Sequence, residues 1–364
     1  MDTRAMFEQP RMSAESKPIR VAVVGLGYWG PNLVRVLQEI PDAELAWVSD
    51  LVPERLRAMQ RRYPGVRATT AYDEILEDDT VDAVAIATPV STHYELVAAA
   101  LQAGKHAFVE KPLAASSNEA LKLIDLAEAQ GLVLMPGHTF LYSPPVNLIR
   151  DLITGGDLGE IYFISASRVN LGLHQPDVGV AWDLAPHDFS ILRYWMDALP
   201  TAVSAISRSC IIADLPDVAF INLTFPAGAI AHIELSWLAP SKLRRTTIVG
   251  SEKMVVYDDA SNEPVRIFDS GVVPPPPQSF GEYKLSYRSG DVVSPKVDGT
   301  EPLLLEMLDF RDAIRLGRSP RSDALVGLDV VRMCEAVDES LANEGAAILL
   351  EPTELAQRTG DHAG

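Results

Sequence analysis

A glycine-rich motif between an apolar strand and a helix constrains the fold of this chain more than any other feature. The apolar run 21–24 leads directly into G-L-G-Y-W-G at 25–30, and a helical pattern follows. In this setting the first glycine permits a tight turn, the second lets a pyrophosphate approach the backbone, and the third lets the helix pack on the sheet. The free N–H groups at the helix start receive the phosphate charge. The motif predicts dinucleotide binding, with contacts from Gly25, Gly27, Tyr28, Trp29 and Gly30.

An acidic residue at the end of the next apolar run supports this prediction. Asp50 lies 20 positions after Gly30. A carboxylate there can accept the ribose hydroxyls of an adenosine and repels a 2′-phosphate, so NAD is predicted rather than NADP. Arg55 follows closely and weakens that preference, because an arginine can accommodate the phosphate. Alternatively, Asp50 is the N-cap of a helix at 53–62.

The composition restricts the possible partners. Lys and Arg together number 31 and Asp and Glu 50, and the net charge of −19 disfavours nucleic acid and anionic membranes. Cys210 and Cys334 lack metal-ligand spacing and the seven histidines form no cluster, so no metal is expected. The first 18 residues lack the apolar core of a signal peptide, and no stretch approaches the ~20 apolar residues that span a bilayer. The sequence thus predicts a soluble, cytoplasmic protein with free thiols.

The hydrophobic pattern from 19 to 137 alternates between short apolar runs and longer amphipathic stretches. Strands are predicted at 19–25, 43–49, 83–87, 106–109 and 133–135, with helices near 31–40, 53–62, 91–103 and 117–130. Wholly apolar strands separated by helices are typical of a doubly wound parallel sheet, the Rossmann fold. Its ligand should lie outside the carboxyl ends of the strands.

From 138 to 352 the pattern predicts an α+β domain with a large, mostly antiparallel sheet that serves substrate binding and oligomerisation. Strands are predicted at 161–171, 201–209, 218–225, 229–237, 243–249 and 253–257, and helices at 145–154, 302–316 and 325–343. The segment 270–300 is predicted to be irregular, and 1–18 and 353–364 to be flexible tails. A broad free sheet face is commonly buried by a second copy, so a homodimer or homotetramer is expected.

Three groups of residues that could do chemistry follow strands of the first domain. They are Thr88-Pro89, Glu110-Lys111 and His138. All three lie at the edge where the pyrophosphate is expected, so they can line the nicotinamide end of the cofactor. The ammonium of Lys111 can hydrogen-bond a substrate hydroxyl and stabilise a developing alkoxide. Alternatively, Lys111 is a surface lysine paired with Glu110.

Asp183 and His187 lie four residues apart, on one face of a helix predicted to continue through Trp195. With Asp183 at or near the N-cap, His187 falls in the first turn, where the positive end of the helix dipole lowers its pKa. A neutral imidazole can take the proton of an alcohol as a hydride leaves. The alternative is a helix cap followed by a buried structural histidine.

The order and spacing of these motifs resemble the Gfo/Idh/MocA oxidoreductases over nearly the whole chain. Besides the glycine motif, the resemblance is carried by Thr88-Pro89 with His93, Glu110-Lys111-Pro112, Asp183-x-x-x-His187, Glu301-Pro302-Leu303, Glu306, Phe310, Gly317, Pro320, Ser322 and Gly327. The resemblance implies that His187 is the acid/base, that Lys111 polarises the reacting hydroxyl and that Asp183 positions its neighbours. It also implies that Pro89 and His93 flank the nicotinamide ribose.

The resemblance also indicates the substrate class, because the family acts mostly on cyclic polyols and sugars, free or nucleotide-linked. Lys242, Arg244 and Arg245 form a basic cluster suited to a diphosphate, although it can equally be a solvated strand start. Besides the three catalytic residues, substrate contacts are predicted for His138, Tyr142, Arg168, Asn170, His174, Gln175 and Arg244. Tyr142 could equally be a packing residue.

The leading hypothesis is an oxidoreductase acting on a secondary hydroxyl of a nucleotide-linked sugar, of the UDP- or dTDP-sugar 3-dehydrogenase type. Dehydrogenation of a free inositol or aldose is an alternative, as is glycosidic cleavage through transient oxidation. A third possibility, from a different class, is a dinucleotide-binding regulatory protein without turnover. Such relatives usually lose the lysine or the histidine, whereas Lys111 and His187 are both present.

Overall fold

Apolar residues along the whole length of the central strands build the first sheet of this chain. A computed structural model describes residues 17–172, 174, 178–273 and 286–351. Gln175 and nearly all of the predicted tails lie outside these residues. The strands are β1 (Ile19–Val24), β2 (Ala43–Ser49), β3 (Arg67–Thr69), β4 (Ala83–Ile86), β5 (His106–Glu110) and β6 (Leu134–Gly137). The connecting helices are α1 (Gly30–Glu39), α2 (Pro53–Arg62), α3 (Asp73–Leu76), α4 (His93–Gln102) and α5 (Ser117–Gln130).

All neighbouring strands of this sheet are parallel, in the order β3-β2-β1-β4-β5-β6. This doubly wound order confirms the predicted Rossmann fold. The order reverses between β1 and β4, where sheets of this kind bind dinucleotides at the carboxyl ends of the strands.

Two apolar layers cover the faces of the sheet. Val21 and Val23 of β1 pack into the layer with α1, whereas Ala22 and Val24 point the other way, into the layer with α4 and α5. Helices from the end of the chain, α8 (Pro302–Leu316) and α9 (Ala324–Ala342), join these layers, α8 the first and α9 the second. The core of the unit predicted at 19–137 therefore includes C-terminal residues that were predicted to belong to the second domain.

The second sheet has nine strands, in the order β14-β13-β12-β11-β7-β10-β9-β8-β15. They are β7 (Ile161–Leu171), β8 (Ala202–Arg208), β9 (Val218–Thr224), β10 (Ile230–Ser236), β11 (Leu238–Gly250), β12 (Met254–Asp258), β13 (Val265–Val273), β14 (Ser286–Val293) and β15 (Ile348–Leu349). Only the β7–β10 pair is parallel among them, which confirms the predicted mostly antiparallel sheet.

Helices cover one face of the second sheet. The helix α6 (Pro144–Thr154), together with α7 (Val180–Met196) and α9, packs on it through residues such as Phe189 and Trp195. The opposite face exposes Phe163, Ile206 and Ile230. Among the described residues, no helix is long and apolar enough to cross a bilayer.

The prediction of an irregular segment at 270–300 is wrong in part. Strand β13 continues to Val273, and β14 pairs with it, Phe268 lying opposite Val292 and Val272 opposite Tyr287. The glycines and prolines of this segment obscure the strand pattern, and only pairing with a neighbouring strand reveals it. The consecutive prolines themselves lie outside the described residues.

Candidate active site

The glycine motif forms the turn from β1 into α1. Gly25 has a φ of +90°, and a Cβ there would come within 2.5 Å of the Ala87 carbonyl oxygen. A Cβ on Gly30, the first residue of α1, would overlap the Gly25 carbonyl. At Gly27 a Cβ would meet no heavy atom within 4 Å, which is the room a pyrophosphate needs. This turn therefore fits a dinucleotide.

Asp50, directly after β2, is tied to this turn. Its Oδ2 accepts a 2.7 Å hydrogen bond from the Leu26 N–H, and its Oδ1 accepts one of 2.8 Å from the Val52 N–H. Arg55 forms an ion pair with the carboxylate at 3.2 Å. Val52, not Asp50, is the N-cap of α2, so the alternative capping role does not apply. The negative charge lies where the adenosine ribose is expected.

His93 differs from its predicted role. Its ring is buried, with Nδ1 at 2.8 Å from the Pro112 carbonyl oxygen and Nε2 at 2.9 Å from that of Thr88. No ring nitrogen is left for the predicted contact with a ribose. The histidine instead links the loop after β4 to the turn after β5. Pro89 is exposed in that loop, while Thr88 is half-buried.

Lys111, directly after β5, reaches across to α7. Its Nζ donates a 2.6 Å hydrogen bond to the main-chain oxygen of Asp183 and lies 3.5 Å from Asp183 Oδ1. Both side chains are mostly buried. Lys111 therefore forms its ion pair with Asp183. The alternative, a surface lysine paired with Glu110, is wrong.

A cavity of about 170 Å³ opens beside this contact. Its lining residues come from the ends of β4 and β5 and from the start of α7: Thr88, Val90, Lys111, Pro112, Val178, Trp182 and Asp183. Four residues of this lining were not predicted as site residues from the sequence: Val90, Pro112, Val178 and Trp182. The cavity lies at the carboxyl edge of the parallel sheet, where the nicotinamide end of a dinucleotide is expected.

Helix α7 begins earlier than the sequence indicates. Gly179 is its N-cap, so Asp183 is the fourth helical residue and His187 the eighth. The predicted first-turn position of His187, with its dipole effect, is therefore wrong. The pKa of His187 nevertheless lies well below its usual value. Burial is the main cause, and the charges of Lys111, Arg168 and Arg244 and the nearby His138 act in the same direction. The imidazole is thus neutral near pH 7.

Arg168, a predicted sugar contact, has two of its three guanidinium nitrogens engaged by a carboxylate. Its Nε and Nη2 bond the Asp188 carboxylate at 2.7 and 3.0 Å, and both residues are buried. The guanidinium lies over the Phe140 ring at 4.8 Å, and that ring meets the His187 imidazole edge-on at 5.2 Å. Arg168 therefore supports the histidine through Phe140, while its buried Nη1 has no partner among the described residues, so the predicted sugar contact stays a prediction.

Tyr142 is a core residue, so the predicted sugar stacking is wrong and its packing alternative holds. It is 3% exposed, donates its hydroxyl proton to Asp309 at 2.8 Å and accepts from the Ser322 N–H at 3.0 Å. His138 is also buried, and burial followed by the charge of Lys111 lowers its pKa to about 3.

The remaining predicted substrate contacts lie around β7 and β11. Asn170 is two residues from Arg168 on β7, and Arg244 pairs with Arg168 across the two strands. Arg244 forms an ion pair with Asp259 at 3.1 Å, so its charge is compensated. His174 Nε2 lies 3.8 Å from the Asp217 carboxylate.

Glu110 has an unusual environment at the end of β5. Burial raises its pKa to about 7, although the charge and N–H of Lys111 and the Trp29 indole oppose that shift. Tyr28, the neighbour of Trp29 in the glycine motif, is almost fully exposed.

Within the described ranges, no group of three or more acidic, histidine or cysteine side chains could hold a metal ion.

Comparison with known families matches both parts of the chain. Residues 19–138 match the model of an oxidoreductase family with an NAD-binding Rossmann fold, which agrees with the predicted cofactor. Residues 146–256 match the GFO/IDH/MocA C-terminal domain. The two matches together include every residue of the Lys111, Asp183 and His187 group.

Individual relatives agree with these matches. UDP-N-acetylglucosamine 3-dehydrogenase of Acidithiobacillus ferrooxidans is 29% identical over 86% of this chain and 94% of its own length. The NAD-dependent scyllo-inositol 2-dehydrogenase of Bacillus subtilis is 26% identical over 86% of this chain and 92% of its own. Among solved structures, GenD2 from gentamicin A biosynthesis in complex with NAD is 26% identical, with a TM-score of 0.79 over 94% of this chain and 99% of that one.

Proposed function

The chain belongs to the GFO/IDH/MocA family of oxidoreductases, and we propose that it transfers a hydride between NAD and a secondary hydroxyl or ketone of a sugar. One observation carries this proposal. Lys111 of the Rossmann unit meets Asp183 of α7 at 2.6 Å, beside a cavity at the carboxyl edge of the sheet, with a neutral His187 one helical turn further on.

The residues of the first unit fit NAD, which when bound supplies the hydride acceptor or donor. The turn at 25–30 would hold the pyrophosphate, and Asp50 the adenosine ribose. Thr88 and Lys111 line the cavity at the other end of this edge. The Asp50 carboxylate disfavours a 2′-phosphate by charge repulsion, and its ion pair with Arg55 engages one nitrogen of the guanidinium that could meet such a phosphate.

In the direction of oxidation, the neutral imidazole of His187 takes the proton of the substrate hydroxyl. The ammonium of Lys111 hydrogen-bonds the same oxygen and stabilises the negative charge that develops there. Asp183 holds that ammonium in place through its main-chain oxygen and its carboxylate. In the direction of reduction, the protonated His187 returns the proton to the oxygen.

For the substrate we propose a nucleotide-linked sugar oxidised at a ring hydroxyl. A relative that is 29% identical acts on UDP-N-acetylglucosamine, as its name states. A free cyclic polyol is the second candidate, because the predicted diphosphate cluster is largely neutralised. Arg245 pairs with Asp258 at 2.9 Å and Arg244 with Asp259 at 3.1 Å. A diphosphate would have to displace these aspartates or be held elsewhere.

A substrate panel tests the proposal. UDP- and dTDP-sugars, inositols and free aldoses would each be incubated with the protein and NAD, and NADH formation followed by absorbance. We expect turnover with one class of secondary alcohol, and none with the Lys111→Met variant. Tight NAD binding without hydride transfer to any panel member would overturn the proposal and favour a regulatory protein.

We also propose that the chain forms a homo-oligomer through the uncovered face of its second sheet. Phe163, Ile206 and Ile230 expose between 41% and 61% of their surface on three different strands. Monomeric proteins rarely leave such an apolar face open. Light scattering during size exclusion should give a multiple of 39.6 kDa, and Ile230→Glu should lower it. A wild-type monomer at micromolar concentration would refute this assembly.

A further inference from the structure

We infer that Trp237 is a positioning residue for the catalytic group, because its indole N–H holds the Asp183 carboxylate that Lys111 contacts. Trp237 Nε1 donates to Asp183 Oδ2 at 3.2 Å. Lys111 Nζ lies 3.5 Å from the other carboxylate oxygen, Asp183 Oδ1. The carboxylate is thus held between an ammonium from the first unit and an indole from the second.

The Trp237 ring is itself fixed in place. It is 1% exposed, its main-chain N–H donates to the Asp217 carbonyl at 3.0 Å, and its carbonyl accepts from the Gly172 N–H at 2.9 Å. A Cβ on Gly172 would lie only 2.9 Å from Trp237 Cδ1, so a glycine at 172 leaves room for the ring. The His174 ring covers another side, with 5.0 Å between ring centres.

This arrangement limits how the Lys111 ammonium can be held. With one oxygen occupied by the indole, the Asp183 carboxylate cannot turn without losing that bond. Lys111 therefore has two fixed acceptors at Asp183, the carboxylate and the main-chain oxygen at 2.6 Å, and His187 lies on the same face of α7. Loss of the indole N–H should free the carboxylate and leave the ammonium held by the main-chain oxygen alone, lowering the rate of the chemical step while leaving NAD binding intact. This inference rests on the proposed function.

The test uses Trp237→Phe, which removes the N–H and keeps an aromatic ring. A hydrogen bond to a charged group is worth enough to change a rate about 10- to 100-fold, so we expect that loss in kcat with NAD affinity within about twofold of wild type. Trp195→Phe is the matched control. Trp195 is also 1% exposed and donates through Nε1 to a protein oxygen, the Val146 carbonyl at 2.9 Å, but it does not contact Asp183.

Comparison in a second background separates positioning from general packing. If Trp237 acts through Asp183, Trp237→Phe should change kcat less than about twofold when Asp183→Ala is already present. An equal loss in both backgrounds, or equal losses from Trp237→Phe and Trp195→Phe, would overturn the inference.

A readout independent of activity separates this inference from the proposed function. In NMR spectra of protein labelled with ¹⁵N-tryptophan, the indole N–H signal that is missing in Trp237→Phe belongs to Trp237. This signal should shift in Asp183→Ala, while the Trp195 signal should stay in place. An unshifted Trp237 signal would overturn the contact. Wild-type protein inactive on the whole substrate panel would overturn the proposed function, and the indole shift would still decide whether Trp237 holds Asp183.

Discussion

Replacing Lys111 with methionine tests whether its ammonium carries the reaction. Methionine keeps an unbranched side chain but removes the charge and all three donors. The wild-type ammonium donates to the Asp183 carbonyl at 2.6 Å, and its charge is one of the causes that lower the pKa of His187. The substitution should therefore act on both the developing alkoxide and the proton acceptor.

The two effects have predictable size and sign. Loss of one donor to a developing oxyanion lowers kcat about 100- to 1000-fold. Removal of a neighbouring cation raises the pKa of His187 toward its ordinary value. Because the base must be neutral to accept a proton, the rate of oxidation falls as the pH drops through that pKa. The acidic limb of the profile should accordingly move to higher pH in the variant.

The assay is the pH dependence of kcat and of kcat/KM, with NAD affinity measured separately. Lys105→Met is the matched control, since Lys105 is 3% exposed just before β5 and donates to the carbonyl oxygens of Asp78 and Val81 at 2.9 and 3.0 Å. This control should lose stability but keep kcat. Retention of more than about a tenth of wild-type kcat in Lys111→Met would show that the ammonium does not stabilise the developing alkoxide.

Three further predictions concern stability and the cofactor. Tyr142→Phe should lower the free energy of unfolding in urea by about 1–3 kcal/mol and leave kcat unchanged, because its hydroxyl bonds only protein groups; a large fall in kcat would contradict this. Glu110 has a pKa raised from 4.5 to about 7, so its contribution to stability is full below pH 4.5 and is lost as the pH rises through 7. Glu110→Gln should make the free energy of unfolding in urea depend less on pH between pH 5 and 8, and an unchanged pH dependence would contradict this prediction. Asp50→Ala should weaken NAD binding by about tenfold or more and narrow the preference over NADP, as measured by fluorescence titration; an unchanged preference would exclude its contact with the ribose.

The parts of the fold that were predicted correctly are set by residues close to one another in the sequence. The apolar run before the glycine motif and the spacing to Asp50 are local patterns, and they were enough to place the turn between β1 and α1. The predicted start of α7 was wrong because Asp183 is a good N-cap type, whereas the structure uses Gly179 in an extended conformation and buries Val180 in the first turn. Burial of Val180 therefore outweighs the capping propensity of Asp183 in setting the start of α7.

The chemistry of single polar residues was harder to predict because their partners are distant in sequence. Tyr142 bonds Asp309, 167 positions away, and this turns a predicted sugar contact into a core residue. Arg168 is engaged by Asp188 from another element. Trp237 was not identified as functional, because a tryptophan at the end of an apolar strand is indistinguishable in sequence from ordinary core.

A crystal structure of the protein with NAD and its identified substrate would show whether Lys111 and His187 act on the same substrate oxygen. We expect Lys111 Nζ and a ring nitrogen of His187 both to lie within hydrogen-bonding reach, ~3 Å, of one substrate oxygen at the nicotinamide. A substrate whose reacting oxygen contacts neither side chain, or a nicotinamide bound away from the cavity beside Lys111, would contradict it.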